Sequence, residues 1–188
     1  FLYAVPWPAQ GLYSKKEINS IADLKGLKFR AYNSATIRIA ELTGMAPTKI
    51  EAAEISQAFS TGAVESMITS PTTGKNSKIW ENGVGYFYDI AAWFPKNMVI
   101  VNKDAWSKLD SATQKLIMSE AAVAEKKGWE LSKKGNVADK KALADAGMKV
   151  GKVNSALEKH FQKVGATMAD EWKAKAGSRG ASVLAAYK

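Results

Sequence analysis

Arginine is scarce in this chain. Of the 27 basic side chains, only Arg30, Arg38 and Arg179 carry a guanidinium. Arg30 stands near the end of Leu27-Lys28-Phe29-Arg30-Ala31-Tyr32, whose alternation reads as a β-strand. In an open parallel sheet, ligands bind in the crevice beyond the carboxyl ends of the strands. A guanidinium there can clamp a carboxylate bidentately and does not lose its charge by deprotonation. The plain alternative is a strand arginine paired with a surface acid. Thr69-Ser70-Pro71-Thr72-Thr73 follows another strand pattern, so its hydroxyls emerge at the same sheet edge. Thr69 and Ser70 are therefore candidate contacts, although serine and threonine are also ordinary loop and cap residues. Asn33 follows the arginine strand, both as a candidate contact and as the N-cap of the next helix. Trp7, held between Pro6 and Pro8, and Trp93, in Trp93-Phe94-Pro95, could form apolar ligand walls or plug the space between loops.

Other chemistries find little support. Cysteine is absent and His160 is the single histidine, which removes disulfides, thiolate sites and His-rich metal sites. There is no Gly-x-Ser-x-Gly elbow, no His-Glu-x-x-His and no Gly-x-Gly-x-x-Gly. Gly74-Lys75 resembles the end of a phosphate loop, but Thr69 stands where the upstream glycine belongs. Glu51 and Glu54 flank a short helix start, where acids cap and favour the dipole. Catalytic residues, metal and cofactor are accordingly set at none. One enzyme reading stays open, with Arg30 as anion clamp and Glu54 or Glu65 as base.

Charge asks for a second alternative. The net charge is +9; residues 1–100 carry +2 and residues 101–188 carry +7. A basic nucleic-acid-binding protein is one reading. However, the lysines Lys126, Lys127, Lys133, Lys134, Lys140 and Lys141 lie scattered on helical patterns, where they make solvated faces. Arginine, the residue that reads phosphate and guanine bidentately, is nearly missing. Nucleic acid is not an expected partner.

Two regimes of pattern position the candidates. Up to about residue 102, short apolar runs alternate with short helices. Strands at 27–32, 47–50 and 63–69, with helices from Ser34 to Gly44 and Glu54 to Thr61 between them, make a βαβαβ unit. A helical turn at 20–26 precedes the unit; strands at 85–90 and 97–101 follow it. The chain then becomes helical from the Asp110 cap through Leu131. It passes a short strand at 148–150 and resumes as a helix from Ser155 to about Ala176, broken at Gly177-Ser178-Arg179-Gly180. Trp80, Trp106, Trp129 and Trp172 fall on helical patterns and are expected in the core, and His160 is expected to be structural. The apolar, β-prone start Phe1–Val5 reads as a chain entered in mid-fold.

Several of these segments together resemble a known family. Ile18-Asn19-Ser20-Ile21-Ala22-Asp23-Leu24-Lys25-Gly26-Leu27-Lys28-Phe29-Arg30 is similar to the run before the ligand arginine of DctP-type substrate-binding proteins of tripartite ATP-independent periplasmic (TRAP) transporters. The likeness continues through Gly44-Met45-Ala46-Pro47-Thr48, Ala53–Phe59, Gly62–Ser66, Val101-Asn102-Lys103 and the long C-terminal helices. It implies a truncated, periplasmic-binding-protein-like two-lobe α/β fold, with a mostly parallel sheet in the second lobe plus long C-terminal helices. Residues 1–85 would form the second, ligand-binding lobe, residues 86–120 would return to an incomplete first lobe, and residues 121–188 would pack as helices. By the same resemblance Arg30 is the carboxylate clamp, Thr69 is a polar contact and Trp93 is a contact from the returning segment. Gln10 stands where sialic-acid-binding relatives carry a second arginine, which points toward a monocarboxylate with an apolar or aromatic portion. The implied role is a periplasmic receptor that delivers a small organic acid to TRAP permease subunits. An incomplete first lobe also favours dimerisation or a swapped assembly.

Overall fold

In the computed structural model, which describes residues 1–186, the chain order alternates strands and helices before ending in two long helices. The strands are β1 (Tyr3–Pro6), β2 (Gly11–Ser14), β3 (Lys28–Ala31), β4 (Ala46–Lys49), β5 (Ser66–Thr69), β6 (Tyr86–Tyr88), β7 (Lys96–Val99) and β8 (Lys149–Gly151). The helices are α1 (Ser34–Thr43), α2 (Ile55–Ser60), α3 (Pro71–Asn76), α4 (Lys103–Ser107), α5 (Ser111–Asp145) and α6 (Ser155–Ala186). A 3-10 turn at Ile21–Leu24 leads into β3, boxed by Ser20 and Asp23. The Asp23 carboxyl accepts the backbone N–H groups of Asn19 and Ser20, which holds its pKa below the ordinary aspartate value.

A six-stranded sheet in the order β4-β3-β5-β2-β6-β8 carries most of the fold. The βαβαβ unit is present: β3 pairs in parallel with both β4 and β5. β2 then runs antiparallel to β5 and β6, and β8 returns parallel to β6. Both faces are buried, so the central strands alternate between two cores instead of between core and water. Leu12, Phe29, Ala31 and Ile68 face Ile39 and Ala40 of α1 and Leu157 and Val164 of α6. Their neighbours Tyr13, Met67 and Phe87 face Ile55 and Phe59 of α2 and Leu143 of α5.

A second sheet pairs β1 antiparallel with β7 in the register Tyr3↔Val99 to Pro6↔Lys96. β1 belongs to the small sheet and β6 to the large one, so the chain crosses between sheets at residues 7–10 and again at 89–95.

The crossings run side by side. Trp7 N–H donates to Pro95 O, Gln10 N–H to Trp93 O and Ala92 N–H to Gln10 O, at 2.7, 3.0 and 2.9 Å.

Helix α5, 35 residues and therefore about 50 Å long, ties both sheets together. Near its middle, Glu125 accepts the Ala4 N–H at 3.0 Å, and the Trp129 indole donates to Ala4 O at 3.1 Å. The backbone groups of β1 that β7 leaves free are satisfied in this way. Further along, the buried Asp139 carboxylate accepts Lys75 Nζ at 2.7 Å and Thr72 Oγ1 at 2.6 Å, fixing α5 to α3. Lys140 pairs with Asp89.

Two expectations change. β2 and α3 lie in stretches that the apolar pattern left unassigned or read as loop. Trp129 and Trp172 are 45% and 46% exposed, not core; Trp129 is placed by its indole hydrogen bond to β1. Trp106 and Trp80 are half-buried. The break in the last helix falls at Gly177, with φ 61° and ψ −146°, within the expected 177–180 stretch.

Gly128 is the close approach between α5 and β1, for a Cβ there would overlap the Val5 side chain. Alanine in an exposed helix gains about 1 kcal/mol over glycine. Here the β-branched Val5 cannot give way, and overpacking costs roughly 1–3 kcal/mol. Gly128→Ala is therefore expected to lower stability by about 1 kcal/mol net. Urea denaturation measures it, and a higher midpoint would show that the contact imposes nothing.

Candidate functional site

The carboxyl ends of β3 and β5 point the same way, and β2 runs back between β5 and β6 with Gly11 opposite Thr69. That register brings Gln10, one residue before β2, beside the end of β5. Phe29 and Ala31 turn into the α1/α6 core. By the two-residue alternation of a strand, Arg30 and Tyr32 turn to the opposite face. A cavity of about 250 Å³ opens there, lined by Trp7, Gln10, Arg30, Tyr32, Ala52, Thr69, Ser70, Thr73, Pro95 and Asn97. The structure thus brings together five of the seven sequence candidates: Arg30, Gln10, Trp7, Thr69 and Ser70.

Arg30 is 3% exposed, yet it makes one hydrogen bond among the described residues, from Nε to Ile50 O at 2.9 Å. No carboxylate among those residues lies within ion-pair distance of it. Its guanidinium carbon sits 4.8 Å from the centroid of the Tyr32 ring. Burial lowers its pKa from the ordinary guanidinium value, with Tyr32 and Glu51 acting in the opposite sense. Arginine nonetheless keeps its charge. With Nε used, the remaining N–H donors are free for an anion, and the Nη1/Nη2 edge is the one still able to grip a carboxylate with two parallel bonds.

Neutral polar groups surround this cation. Gln10, 3% exposed, is oriented by donating Nε2–H to Pro8 O at 3.0 Å. Its Oε1 lies 3.5 Å from the Tyr32 hydroxyl. Burial raises the Tyr32 pKa, while the Arg30 charge and the Trp93 side chain pull it back. Thr69 is buried at the end of β5. Ser70 caps α3 by accepting the Thr73 N–H at 3.0 Å, so much of its capacity is structural. Thr72 is spent on Asp139. Trp7 stands at the rim, its indole donating to Asn97 Oδ1 at 3.1 Å.

Two candidates fall outside the arginine cavity. Asn33 caps α1 by accepting the Thr36 N–H at 2.9 Å, and it does not line the cavity. The reason is local: the helix begins at Ser34, so its orphan N–H groups claim that side chain. Trp93 lines a different and larger cavity of about 710 Å³, between α1, the 89–93 crossing and α6. Its backbone carbonyl nonetheless accepts the N–H of Gln10, which lines the arginine cavity. His160 does not line either cavity, and its Nε2 is buried without a partner among the described residues.

Sequence reasoning missed Tyr32 and Asn97. Tyr32 had a signal, being two residues beyond Arg30 on the same strand face. Asn97 had none, because it arrives from the other sheet. The acids of the enzyme reading are engaged elsewhere. Glu54 accepts the Glu51 N–H at 3.1 Å as a cap, and Glu65 pairs with Lys16 at the opposite end of β5.

α3 is set against the sheet by one contact. Tyr13 is fully buried, its hydroxyl donates to Ser70 O at 3.1 Å, and Gly74 leaves the room its ring occupies. Burial pushes the Tyr13 pKa well above the ordinary phenol value, so the hydroxyl stays a donor.

Known proteins resemble this chain over nearly all of it. Residues 9–175 match the family described as bacterial extracellular solute-binding protein, family 7 (DctP). A Bordetella pertussis extracytoplasmic solute receptor binding pyroglutamic acid, DctP6, has a solved structure 42% identical, with a TM-score of 0.95 over 99% of this chain and 62% of its own. A marine metagenome TRAP solute-binding protein, solved with co-purified pyroglutamate, is 39% identical with the same TM-score, over 99% of this chain and 61% of its own. Over 111 residues the chain is 33% identical to the sialic acid-binding periplasmic protein SiaP of Vibrio cholerae, covering 57% of this chain and 33% of that one. The chain therefore spans less than two thirds of the length of each of these relatives.

An unpaired buried charge costs stability, and an apolar side chain of similar length removes that cost. Arg30→Met is expected to raise the melting temperature of the ligand-free protein by about 2–4 °C, the equivalent of roughly 1 kcal/mol at this size. Differential scanning calorimetry without added carboxylates measures it. A fall in melting temperature would mark Arg30 as a structural element.

Proposed function

This chain belongs to family 7 of the bacterial extracellular solute-binding proteins, and from that premise we propose that it is the ligand-binding portion of a periplasmic TRAP receptor. It captures a small monocarboxylate and delivers it to the membrane permease subunits. The observation that carries this reading is the Arg30 guanidinium, 3% exposed and without a carboxylate partner among the described residues, at the wall of a cavity. Such a charge is compensated when an anion enters, and desolvation then makes the pair far stronger than an exposed one.

Pyroglutamate is the first ligand to test. It is a single small ring with one carboxylate and a neutral lactam. The carboxylate suits the free guanidinium edge. The lactam N–H and C=O suit the neutral partners Gln10 and Thr69, and Trp7 walls the rim. The two solved relatives at about 40% identity are described as binding it. A sialic-acid ligand fits less well, since the amide of Gln10 stands where the resemblance places a second arginine.

Within the receptor, the large-sheet unit forms the ligand lobe. The small β1–β7 sheet, with the first half of α5, belongs to the opposing lobe. Exposed Met98, Ile100, Leu116 and Val123 are faces that the rest of that lobe, or a second copy of the chain, would cover. Lobe closure about the paired crossings at 7–10 and 92–95 would desolvate the ligand. The chain captures its ligand without transforming it.

Arg30→Ala in the full-length protein is expected to weaken pyroglutamate binding by about 2–5 kcal/mol. Titration calorimetry against the unsubstituted protein measures the loss, preceded by a thermal-shift panel of organic acids. Unchanged affinity in the variant, or a panel in which no carboxylate raises the melting temperature, overturns the reading.

A further inference from the structure

We infer that Tyr32 is a positioning residue for Arg30, holding the guanidinium in the plane from which it grips a carboxylate. The inference rests on the receptor role proposed above and adds a residue that the sequence patterns did not single out.

An arginine side chain has four rotatable bonds before its charged head, and an unrestrained one gives up much of that freedom when it binds. Among the described residues Arg30 has no acid to hold it. Two contacts in the described structure restrain the head: the Nε–H to Ile50 O bond at 2.9 Å and the Tyr32 ring, 4.8 Å from Cζ. The first fixes one edge of the plane. The ring covers one face, an arrangement favoured because the aromatic quadrupole attracts the cation. Together they leave the Nη1/Nη2 edge as the exit for hydrogen bonding. Tyr32 is itself held. It is half-buried, and its hydroxyl lies 3.5 Å from Gln10 Oε1.

The pieces come from four parts of the chain. Ile50 follows β4, Tyr32 follows β3, and Gln10 and Trp93 lie on the two paired crossings between sheets. Tyr32 thus connects the clamp to the crossings. The ring orients Arg30, and the hydroxyl, 3.5 Å from Gln10 Oε1, adds only a long and weak contact.

The test compares Tyr32→Phe, which keeps the ring, with Tyr32→Leu, which removes it, in the full-length protein with pyroglutamate as probe. Calorimetric affinity is one readout. The other is the Arg30 Nε–Hε signal in ¹H–¹⁵N spectra of the ligand-free protein, identified by its loss in Arg30→Lys. Tyr32→Phe is expected to bind within about threefold of the unsubstituted protein and to keep the signal. Tyr32→Leu is expected to bind about tenfold more weakly, the order of a desolvated cation–π contact, and to lose the signal to exchange. Tyr32→Met, closer in length, carries the same expectation and stands in if the leucine variant does not fold.

If both ring-removing variants keep the signal and bind like the unsubstituted protein while Arg30→Ala binds weakly, the positioning role is overturned and the receptor reading stands. If Arg30→Ala also binds normally, the receptor reading itself has failed. A signal lost in Tyr32→Phe as well would assign the restraint to the hydroxyl and overturn the role given to the ring.

Discussion

A positive charge withdrawn from water without a counter-ion is the constraint around which this molecule is organised. Arg30 is buried on a central strand, and a folded protein that pays such a desolvation penalty must hold the side chain in place against its tendency to turn outward. Here the restraint comes from a backbone carbonyl at Ile50 and the face of Tyr32, neither of which neutralises the charge. The site therefore remains unsatisfied in an electrostatic sense. An arrangement of this kind favours an anionic ligand more strongly than an exposed arginine does, because water does not compete as effectively inside the cavity.

Strand direction supplies the rest of the site. If β2 ran parallel to β5, its start would lie at the far end of the sheet and Gln10 would be remote from Arg30. The reversal at β2 places its first residue opposite the last residue of β5. Neutral amide, hydroxyl and guanidinium then share one edge. The same reversal sends residues 7–10 across to the small sheet beside residues 92–95, so the cavity lies where the two sheets are joined. Helix α5 spans the join and is anchored at both ends of it, by Glu125 and Trp129 to β1 and by Asp139 to α3. The binding edge is thus attached to elements that reach both sheets.

The βαβαβ unit was legible because 27–32 alternates apolar with basic residues, 63–69 is largely apolar, and the helices between them are closed by glycine, as at Gly44 with φ 78°. β2 was not, since Gly11-Leu12-Tyr13-Ser14 is too short to display a period, and its burial comes from its neighbours β5 and β6 and from the helices packed on both faces of the sheet. α3 was hidden by composition. Pro71-Thr72-Thr73-Gly74 reads as a turn, and the helix exists because Ser70 caps it, Tyr13 packs against Gly74 and Asp139 fastens it from α5. Asn33 looked equally suited to capping and to ligand contact, and the local helix start decided for the cap. Trp129 looked like core on its periodic helix, whereas the edge of β1 turned it into a hydrogen-bond donor.

By itself the sequence determined the βαβαβ unit of the first seventy residues, the lone arginine at a strand end, the family likeness, and the absence of cysteine and of all histidines but His160 for other chemistries. These are local properties, carried by residue type and short-range spacing. Tertiary structure alone decided that Arg30 has no acidic partner among the described residues, that Gln10 and Asn97 line the same cavity as it does, that Trp93 faces a different cavity, and that β1 leaves the large sheet. Each of those depends on strand direction and register between segments far apart in the chain, and neither quantity is encoded in the pattern of any single segment.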